Sequence, residues 1–305
     1  MALTYDQISA ITELKFIPKL VDNIFDSDPL LQRAKKKGWY KKIDGGTSII
    51  APLAYAQNGA GGWYSGAETL STTDTEQITG AEYAWKQLYE NITVSRLDEL
   101  KNSGDAQIVD FVKSKVQMAE KSMIDRLGTG LYSAGTDAKS IVGLRVLVDT
   151  ANTVGGIDQA TYSWWQSQED SSTTTLTMAA LQSMHTTLTI NNEGPTVITG
   201  TRANYNRYYA MLQPQQRFTD AATGGFSSLM FNGIPFIAGS KVPSSHIFMI
   251  NENYIYLWVH KDEDMRFEPF QKPINQNVKV AKLYFMGALG VDNARMHGKF
   301  TAVAA

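Results

Sequence analysis

The sequence predicts a protein of the α+β class, as one large domain or about two ordinary ones. A long amphipathic helix is expected from about residue 103 to residue 128, because apolar side chains recur there at spacings of three and four. Strands are expected where residue types alternate, most clearly from Tyr83 to Val94. The chain has 305 residues, of which 43 % are hydrophobic, and this is enough for a sizeable core.

The first 42 residues are expected to form an arm of short helical pieces. Pro18 interrupts the first piece, and Asp28 followed by Pro29 is typical of a helix start. Pieces this short are unstable alone in water, so the arm is expected to lie on another surface. Its basic end suits nucleic acid, an acidic protein surface or a solvated helix end, and we favour a protein contact. The cations concerned are Arg33, Lys35, Lys36 and Lys37.

The stretch from Asp44 to Trp85 is rich in glycine and contains no lysine or arginine. Asp44-Gly45-Gly46 is typical of a hairpin turn, here between GWYKKI and TSIIAP. The whole stretch is interpreted as a two-stranded excursion that leaves a sheet and returns to it. A structureless loop of this length is unusual in a compact domain, so it needs a surface to pack against. Two aromatic residues, Trp63 and Tyr64, lie among its glycines.

The long helix is expected to begin at Asn102 or Ser103 and to end at Gly128. Its apolar stripe consists of Ile108, Val112, Val116, Ala119, Met123 and Leu127. Its other faces carry four cations, namely Lys113, Lys115, Lys121 and Arg126. The stripe predicts that one side of this helix lies on the protein core.

Shorter elements are expected in the remainder of the chain. IVGLRVLVDT is interpreted as a strand and a turn, and VGGIDQATYSWWQSQ as an irregular loop. Thr177 is expected to open a second helix, and RANYNRYYAML a third. Several short strands follow, and the chain closes with a long strand, a turn at Asp292-Asn293 and a last strand.

The sequence contains no recognisable catalytic, cofactor-binding or metal site, so an enzyme is not expected. The chain has no cysteine and only four histidines, which are widely spaced. Asp262, Glu263 and Asp264 are adjacent, but their spacing is not that of a calcium loop, and a solvated turn is favoured. The net charge of −2 disfavours a strongly basic face for binding nucleic acid. The sequence contains no run of about 18 apolar residues, so a membrane-spanning helix is not expected.

The order of these pieces resembles the major capsid proteins of tailed bacteriophages, whose fold is shared by encapsulins and the floor of herpesvirus capsids. The resemblance covers essentially the whole chain and is strongest in IPKLVDNIFDSDPLLQRA, VGGIDQATYSWW and NQNVKVAKLYFMGALGVDNARMHGKFTAV. It implies five parts: an N-arm (1–42), an E-loop (43–95), a spine helix (about 103–128), a P-domain (96–175 and 271–305) and an A-domain (176–270).

In this family the E-loop and the arm lie across a neighbouring subunit. The resemblance therefore implies that Trp63 and Tyr64 are anchors against a neighbour, although folding back onto their own domain is an alternative. The loop's acidic residues, among them Glu68, Asp74 and Glu76, are expected to face the basic residues of a neighbouring arm or spine helix. The other interpretation is that these carboxylates only keep the loop soluble.

The function implied is that of a major capsid protein, which self-assembles as hexamers and pentamers into an icosahedral head around double-stranded DNA. Its expected location is the virion, after synthesis in the host bacterial cytoplasm, with a portal and a possible scaffold or decoration protein as partners. Two further hypotheses are an encapsulin-like cargo shell and a monomeric carbohydrate-binding protein, with Trp164 and Trp165 as a sugar platform.

The sequence also predicts two properties of the assembled particle. The arm begins almost at Met1, so no scaffolding domain is expected within this chain. No lysine occurs from Ile43 to Trp85, so the covalent lysine cross-link found in some members of the family is not expected.

Overall fold

The computed structural model describes residues 29–73, 76–97, 105–212 and 229–304, with residues 105–114 described as helix backbone. The predicted helical pieces before Pro29 lie outside these residues. Five helices are described: α1 (Pro29–Lys37), α2 (Asp105–Leu131), α3 (Leu144–Leu147), α4 (Met178–Leu188) and α5 (Arg202–Met211). Two 3₁₀ turns span Ser163–Trp165 and Ala294–Met296.

The first sheet consists of five strands arranged around one long strand. They are β1 (Tyr40–Ile43), β4 (Lys86–Ser95), β12 (Ile255–His260), β13 (Arg266–Gln271) and β14 (Val278–Val291). The order is β1-β12-β14-β13, and β4 also pairs with β14. Apart from the parallel pair of β1 and β12, all these pairs are antiparallel. Helix α2 packs on the face of β4 that carries Ile92 and Val94.

The second sheet consists of six shorter strands. They are β7 (Gln168–Asp170), β8 (Val197–Gly200), β9 (Leu229–Phe231), β10 (Ile234–Ala238), β11 (Ile247–Ile250) and β15 (Gly298–Phe300). Their order is β7-β15-β11-β8-β10-β9. Two hairpins stand apart from both sheets: β2 (Ile49–Ala54) with β3 (Ile78–Tyr83), and β5 (Thr153–Val154) with β6 (Ile157–Asp158).

Two hydrophobic cores are described. The first core joins the five-stranded sheet to α1 and α2, through fully buried side chains such as Leu31, Met123 and Leu283. It also includes Val197, Phe248 and Ile250 of the six-stranded sheet, so it packs the two large sheets against each other. The second core joins the six-stranded sheet to α4 and α5, and its centre includes Tyr208 and Phe236. The described part of the chain therefore has two packed units, in agreement with the α+β class.

The sheets cross the domain boundaries expected from the sequence. Strands β12 and β13 lie in the segment 176–270 but belong to the first sheet with β14. Strands β7 and β15 lie in the segments 96–175 and 271–305 but belong to the second sheet. The long strand and the last strand at the C-terminus are therefore in different sheets.

Three local predictions are wrong. Asp44-Gly45-Gly46 does not join a pair of neighbouring strands, because β1 pairs with β12 while β2 pairs with β3. The segment IVGLRVLVDT contains the short helix α3 instead of a strand. Helix α2 continues past Gly128 to Leu131, which is fully buried and extends the apolar stripe by one more turn.

Other local predictions are confirmed. Helix α4 begins after Thr177, whose hydroxyl oxygen accepts a hydrogen bond from the Ala180 N–H at 3.1 Å. The described part of the stripe on α2 is buried from Val116 to Leu127. Pro29 is the first described residue of α1, and the predicted cap Asp28 lies outside the described residues. On β4 the even-numbered side chains face inward, as the alternation predicts.

Candidate inter-subunit surfaces

The β2–β3 hairpin has a base that is packed and a far end that is exposed. Its base, here called the stalk, consists of residues 49–55 and 77–83. On the stalk Ala51 and Ala81 are buried, whereas Ile50 and Ile78 point outward and are 67 % and 71 % exposed. The outward face of the stalk thus exposes these two apolar side chains, and it also carries the exposed Glu82.

The far end of the hairpin, residues 56–73 with Glu76, is here called the tip. Trp63 is 104 % exposed, Tyr64 is 66 % exposed and Leu70 is 59 % exposed. Large apolar side chains in such number are unusual on a segment that extends from the core. The alternative that Trp63 and Tyr64 fold back on their own domain is wrong for this structure.

The acidic residues of the hairpin do not have equivalent surroundings. Glu68 and Glu76 are exposed at the tip, where a Glu68 oxygen accepts from the Ser65 N–H at 3.4 Å. Asp74 lies outside the described residues. Asp44, before the stalk, forms an exposed ion pair with Lys261 at 2.6 Å, and this cation lowers the pKa of its carboxyl. Exposed acidic side chains therefore lie both at the tip and on the stalk, where Glu82 is exposed beside Ile50.

The basic residues at the end of the arm divide into one internal cation and a solvent-facing group. The Arg33 guanidinium donates two hydrogen bonds of 2.7 Å to the Glu252 carboxylate and one to the Thr196 carbonyl oxygen. Glu252 is 4 % exposed, so this bidentate pair holds α1 on its own subunit. Arg33 thus already has an ion-pair partner within its own subunit, and its predicted contact with a neighbour stays a prediction. The exposed cations of the arm are Lys35, Lys36 and Lys37.

Helix α2 likewise presents fewer available cations than the sequence indicates. Arg126 forms an ion pair with Glu90 on β4 at 3.0 Å, which fastens the helix to the first sheet. Lys121 is exposed, Lys115 is half-buried, and the Lys113 side chain lies outside the described residues.

A buried ion cluster joins the two packed units, and the sequence analysis missed it. The ammonium group of Lys299 on β15 lies 2.5 Å from an Asp149 oxygen and 3.5 Å from a Glu169 oxygen. It also donates to the Arg145 carbonyl oxygen at 3.2 Å. Burial tends to raise the pKa of Asp149, but hydrogen bonds from Lys299 and from two backbone N–H groups lower it overall. The only signal in the sequence is a lysine beside Phe300 in a short apolar strand.

Two of the three adjacent carboxylates, Glu263 and Asp264, have side-chain partners, and the prediction of a solvated turn is wrong for Asp264. Its oxygens accept from the Tyr40 hydroxyl at 2.5 Å and lie 2.6 Å from the Lys42 ammonium group. Asp264 is 3 % exposed, and it fastens β1 to the turn between β12 and β13. Within the described residues, no group of three or more potential metal ligands is brought together.

The tryptophan pair proposed as a sugar platform is not a platform. Trp165 is 2 % exposed, and its indole N–H donates to the Val154 carbonyl oxygen at 3.0 Å. Trp164 stacks on Tyr55 at a ring distance of 5.0 Å and so contacts the top of the stalk. The carbohydrate-binding hypothesis therefore loses the feature on which it rested.

The described histidines have structural roles. His297 is fully buried between the Asn251 N–H and the Tyr254 carbonyl oxygen, and burial lowers its pKa to about 4. Burial and the nearby Arg145 and Lys299 likewise lower the pKa of His246 to about 4. Along the described chain, no helix combines the length and the apolar character that crossing a membrane requires.

Comparison with solved structures identifies the fold. A chain of the cyanophage A-1(L) capsid superposes with a TM-score of 0.69, covering 87 % of this chain and 90 % of that chain. The protein has the capsid fold of tailed phages. The sequence identity to that chain is 16 %, so the likeness is one of structure.

Two further chains with this capsid fold resemble the protein. A chain from the capsid of a native GTA particle has a TM-score of 0.65 and 14 % identity, covering 89 % of this chain and 90 % of that chain. A chain of the holo-SrpI encapsulin complex from Synechococcus elongatus has a TM-score of 0.59 and 11 % identity, covering 87 % of this chain and 85 % of that chain. No protein-family model and no curated protein matches the sequence.

Proposed function

We propose that this chain is the major capsid protein of a tailed phage and forms the shell of its head by self-assembly. The capsid fold over nearly nine-tenths of the chain supports this role. The observation that carries the proposal is the exposed tip, where Trp63 and Tyr64 belong to neither core of their own subunit. The proposed partner of the tip is a second copy of the same chain.

The magnitude of the exposed apolar surface favours a docked state. Burying one tryptophan side chain removes roughly 150–250 Å² from water, which is worth on the order of 4–6 kcal/mol before entropic costs. The outward stalk residues Ile50 and Ile78 are also exposed and add apolar area on the same hairpin. Ordering a long hairpin costs conformational entropy. Burial of Trp63, Tyr64, Ile50 and Ile78 on docking offsets that cost.

The parts of the fold have distinct proposed roles. The stalk and tip act as the E-loop, α2 as the spine helix, and α1 as the end of the N-arm. The P-domain is proposed around the five-stranded sheet, and the A-domain around the six-stranded sheet. This assignment moves β12 and β13 into the P-domain, and β7 and β15 into the A-domain, because sheet pairing ties them there.

The proposed assembly consists of hexamers and pentamers that close into an icosahedral head around double-stranded DNA. The net charge of −2 fits an inner wall that holds DNA by enclosure instead of by many phosphate contacts. A portal and a separate scaffold or decoration protein are proposed partners, and the virion is the proposed location, after synthesis in the host cytoplasm.

The test is assembly of the purified full chain, followed by sedimentation velocity and negative-stain microscopy. Closed shells are expected for the wild type. Trp63→Ser combined with Tyr64→Ser is expected to leave the subunit folded and to abolish shells. Tyr89→Ser is the matched control, because Tyr89 is 64 % exposed on β4, against 66 % for Tyr64 on the tip.

Three outcomes would count against the proposal. A monodisperse monomer under all assembly conditions would exclude a shell protein. Equal assembly of the tip variant and the wild type would exclude the tip as an anchor. Native shells that contain a folded cargo enzyme in place of DNA would replace the phage assignment with the encapsulin one.

A further inference from the structure

The stalk contacts a second hairpin of the same chain. The backbone N–H of Glu82 on β3 donates to the Gly155 carbonyl oxygen at 2.9 Å. Gly155 lies in the turn between β5 and β6, so the edge of the stalk is hydrogen-bonded to this turn. Only a few atoms of this turn contact the stalk, so a single substitution there can change how the stalk is held.

The close approach at this turn requires glycine. Gly155 has a φ of +60° and Gly156 a φ of +79°, so both residues occupy the left-handed region that the tight turn needs. A β-carbon added at Gly155 would lie 2.5 Å from the Ala81 β-carbon and 3.1 Å from its α-carbon. A β-carbon added at Gly156 would meet no atom within 4 Å. Only one of the two glycines is therefore needed for contact with the stalk.

The turn is itself held firmly by its own subunit. Val154 is 2 % exposed, and its carbonyl oxygen accepts the indole N–H of the buried Trp165. The fully buried Gln159 side chain donates to the Leu147 and Trp165 carbonyl oxygens at 3.4 and 3.2 Å. The turn is thus a rigid part of the first core. If the contact opens, the stalk moves and the turn stays in place.

The stalk is not tightly packed beside the turn. A cleft of about 130 Å³ lies between the end of the stalk and the turn, lined by Tyr83, Ala84, Val154 and Leu289 among others. Above the cleft Trp164 stacks on Tyr55, and below it the Tyr83 hydroxyl donates to the Val291 carbonyl oxygen at 2.5 Å. The Gly155 contact lies along the stalk between Tyr55 at one end and Tyr83 at the other.

We propose that the β5–β6 turn is a latch that fixes the stalk at Ala81 and Glu82 before assembly, so that the tip is presented to a second copy in one direction. Only the consequence for assembly rests on the proposed shell function. A pre-oriented tip loses less conformational entropy on docking than one that swings, and docking is correspondingly faster. Opening the latch is therefore expected to slow assembly while both cores stay folded.

Gly155→Ala is the variant that tests the latch, and Gly156→Ala is its matched control. Both variants place alanine at a positive φ in the same turn, so they carry the same kind of backbone strain. Only Gly155→Ala pushes the stalk away. In the unassembled chain, hydrogen exchange of the Glu82 amide is expected to be about tenfold faster in Gly155→Ala than in Gly156→Ala. Amides of α4, in the other core, serve as the reference for global unfolding.

A second variant reaches the contact from the strand side. Glu82→Pro removes the N–H that donates to the Gly155 carbonyl oxygen. This N–H points away from β2, so the hydrogen bonds between β2 and β3 are kept. The chain has no cysteine, so spin labels at Asn58→Cys and Thr136→Cys can be placed without background. The distance distribution between tip and body is expected to broaden in Gly155→Ala and Glu82→Pro and to stay narrow in Gly156→Ala.

The outcomes separate the latch from the shell function. Equal exchange and equal distance widths in the two glycine variants would overturn the latch. A loosened stalk with an unchanged rate of shell formation would overturn its role in assembly. If the wild type forms no shells, the proposed function fails, and exchange and spin-label distances still decide whether the latch exists.

Discussion

Lys299→Met is expected to lower the free energy of unfolding by about 3 kcal/mol, because it breaks the buried ion cluster between the two packed units. The Lys299 side chain is 5 % exposed, whereas its partners Asp149 and Glu169 are about one-fifth exposed. Methionine keeps most of the apolar stem, so the change removes mainly the ammonium group. Two partly hydrated carboxylates then face each other without a cation, and their remaining hydration places the cost at the lower end of the ~3–5 kcal/mol range for buried pairs.

The pH dependence of this effect follows from the lowered pKa of Asp149. A carboxyl group with a lowered pKa in the folded state stabilises the protein above its ordinary pKa of about 4. That contribution is lost as the pH falls through the folded-state pKa. The difference between wild type and Lys299→Met is therefore expected to be full at pH 7 and to shrink below about pH 4.

The assay is denaturant unfolding of the unassembled chain, followed by tryptophan fluorescence and circular dichroism. Lys261→Met is the control, because Lys261 pairs with Asp44 at the surface, where the two side chains are 55 % and 78 % exposed. The control is expected to leave stability unchanged. A Lys299→Met variant as stable as the control would show that the cluster does not hold the two units together.

Three more predictions concern assembly and acid stability. Replacing Glu68, Asp74 and Glu76 by Gln, Asn and Gln is expected to slow assembly at low salt and to remove its salt dependence; a salt-insensitive wild type matched by the variant would contradict electrostatic docking. Boiled particles are expected to run as a single band near 33.7 kDa, because the nearest lysine, Lys86, lies beyond the stalk; a ladder of covalent oligomers would contradict this. Below pH 6.5 the unfolded chain binds protons at His246 and His297 that the folded chain does not bind, because the pKa of both is lowered to about 4. The free energy of unfolding is therefore expected to fall towards pH 4 by up to about 1.4 kcal/mol per pH unit for each histidine, and a flat profile between pH 6.5 and 4.5 would contradict burial of these residues.

Elements whose cause is local were predictable from the sequence. The helix cap at Thr177 and the buried stripe of α2 each depend on residues within a turn or two. The inward parity of β4 was also predictable, because a strand with one buried face must alternate. The capsid resemblance placed these pieces in order, and the observed fold agrees with it.

Features that depend on distant parts of the chain were not predictable. The turn at Asp44 has hairpin composition, but β1 finds its partner in β12, more than two hundred residues later. The four-residue helix α3 follows Gly143, where a β-carbon would lie 2.2 Å from the Ser133 nitrogen, so tertiary packing sets its conformation. Which strands share a sheet across the expected domain segments was not predictable for the same reason, since membership of a sheet is a long-range property.

The candidate surfaces were predictable in kind but not in detail. The exposed aromatic residues of the tip could be named, because they lie in a glycine-rich stretch that has no core of its own. Which cations remain available could not be known. Arg33 and Arg126 resemble the other basic residues in sequence, but in the fold they form ion pairs with Glu252 and Glu90. Pairing of this kind is decided by geometry across the chain.

A cryo-EM reconstruction of assembled particles tests the central claim most directly, because it shows what covers the tip. The account predicts closed shells in which residues 56–73 lie on a neighbouring subunit, with Trp63 and Tyr64 buried against it and the stalk still in contact with Gly155. Shells in which the tip remains in solvent, or folds onto its own subunit, would contradict the claim that this hairpin joins one subunit to the next.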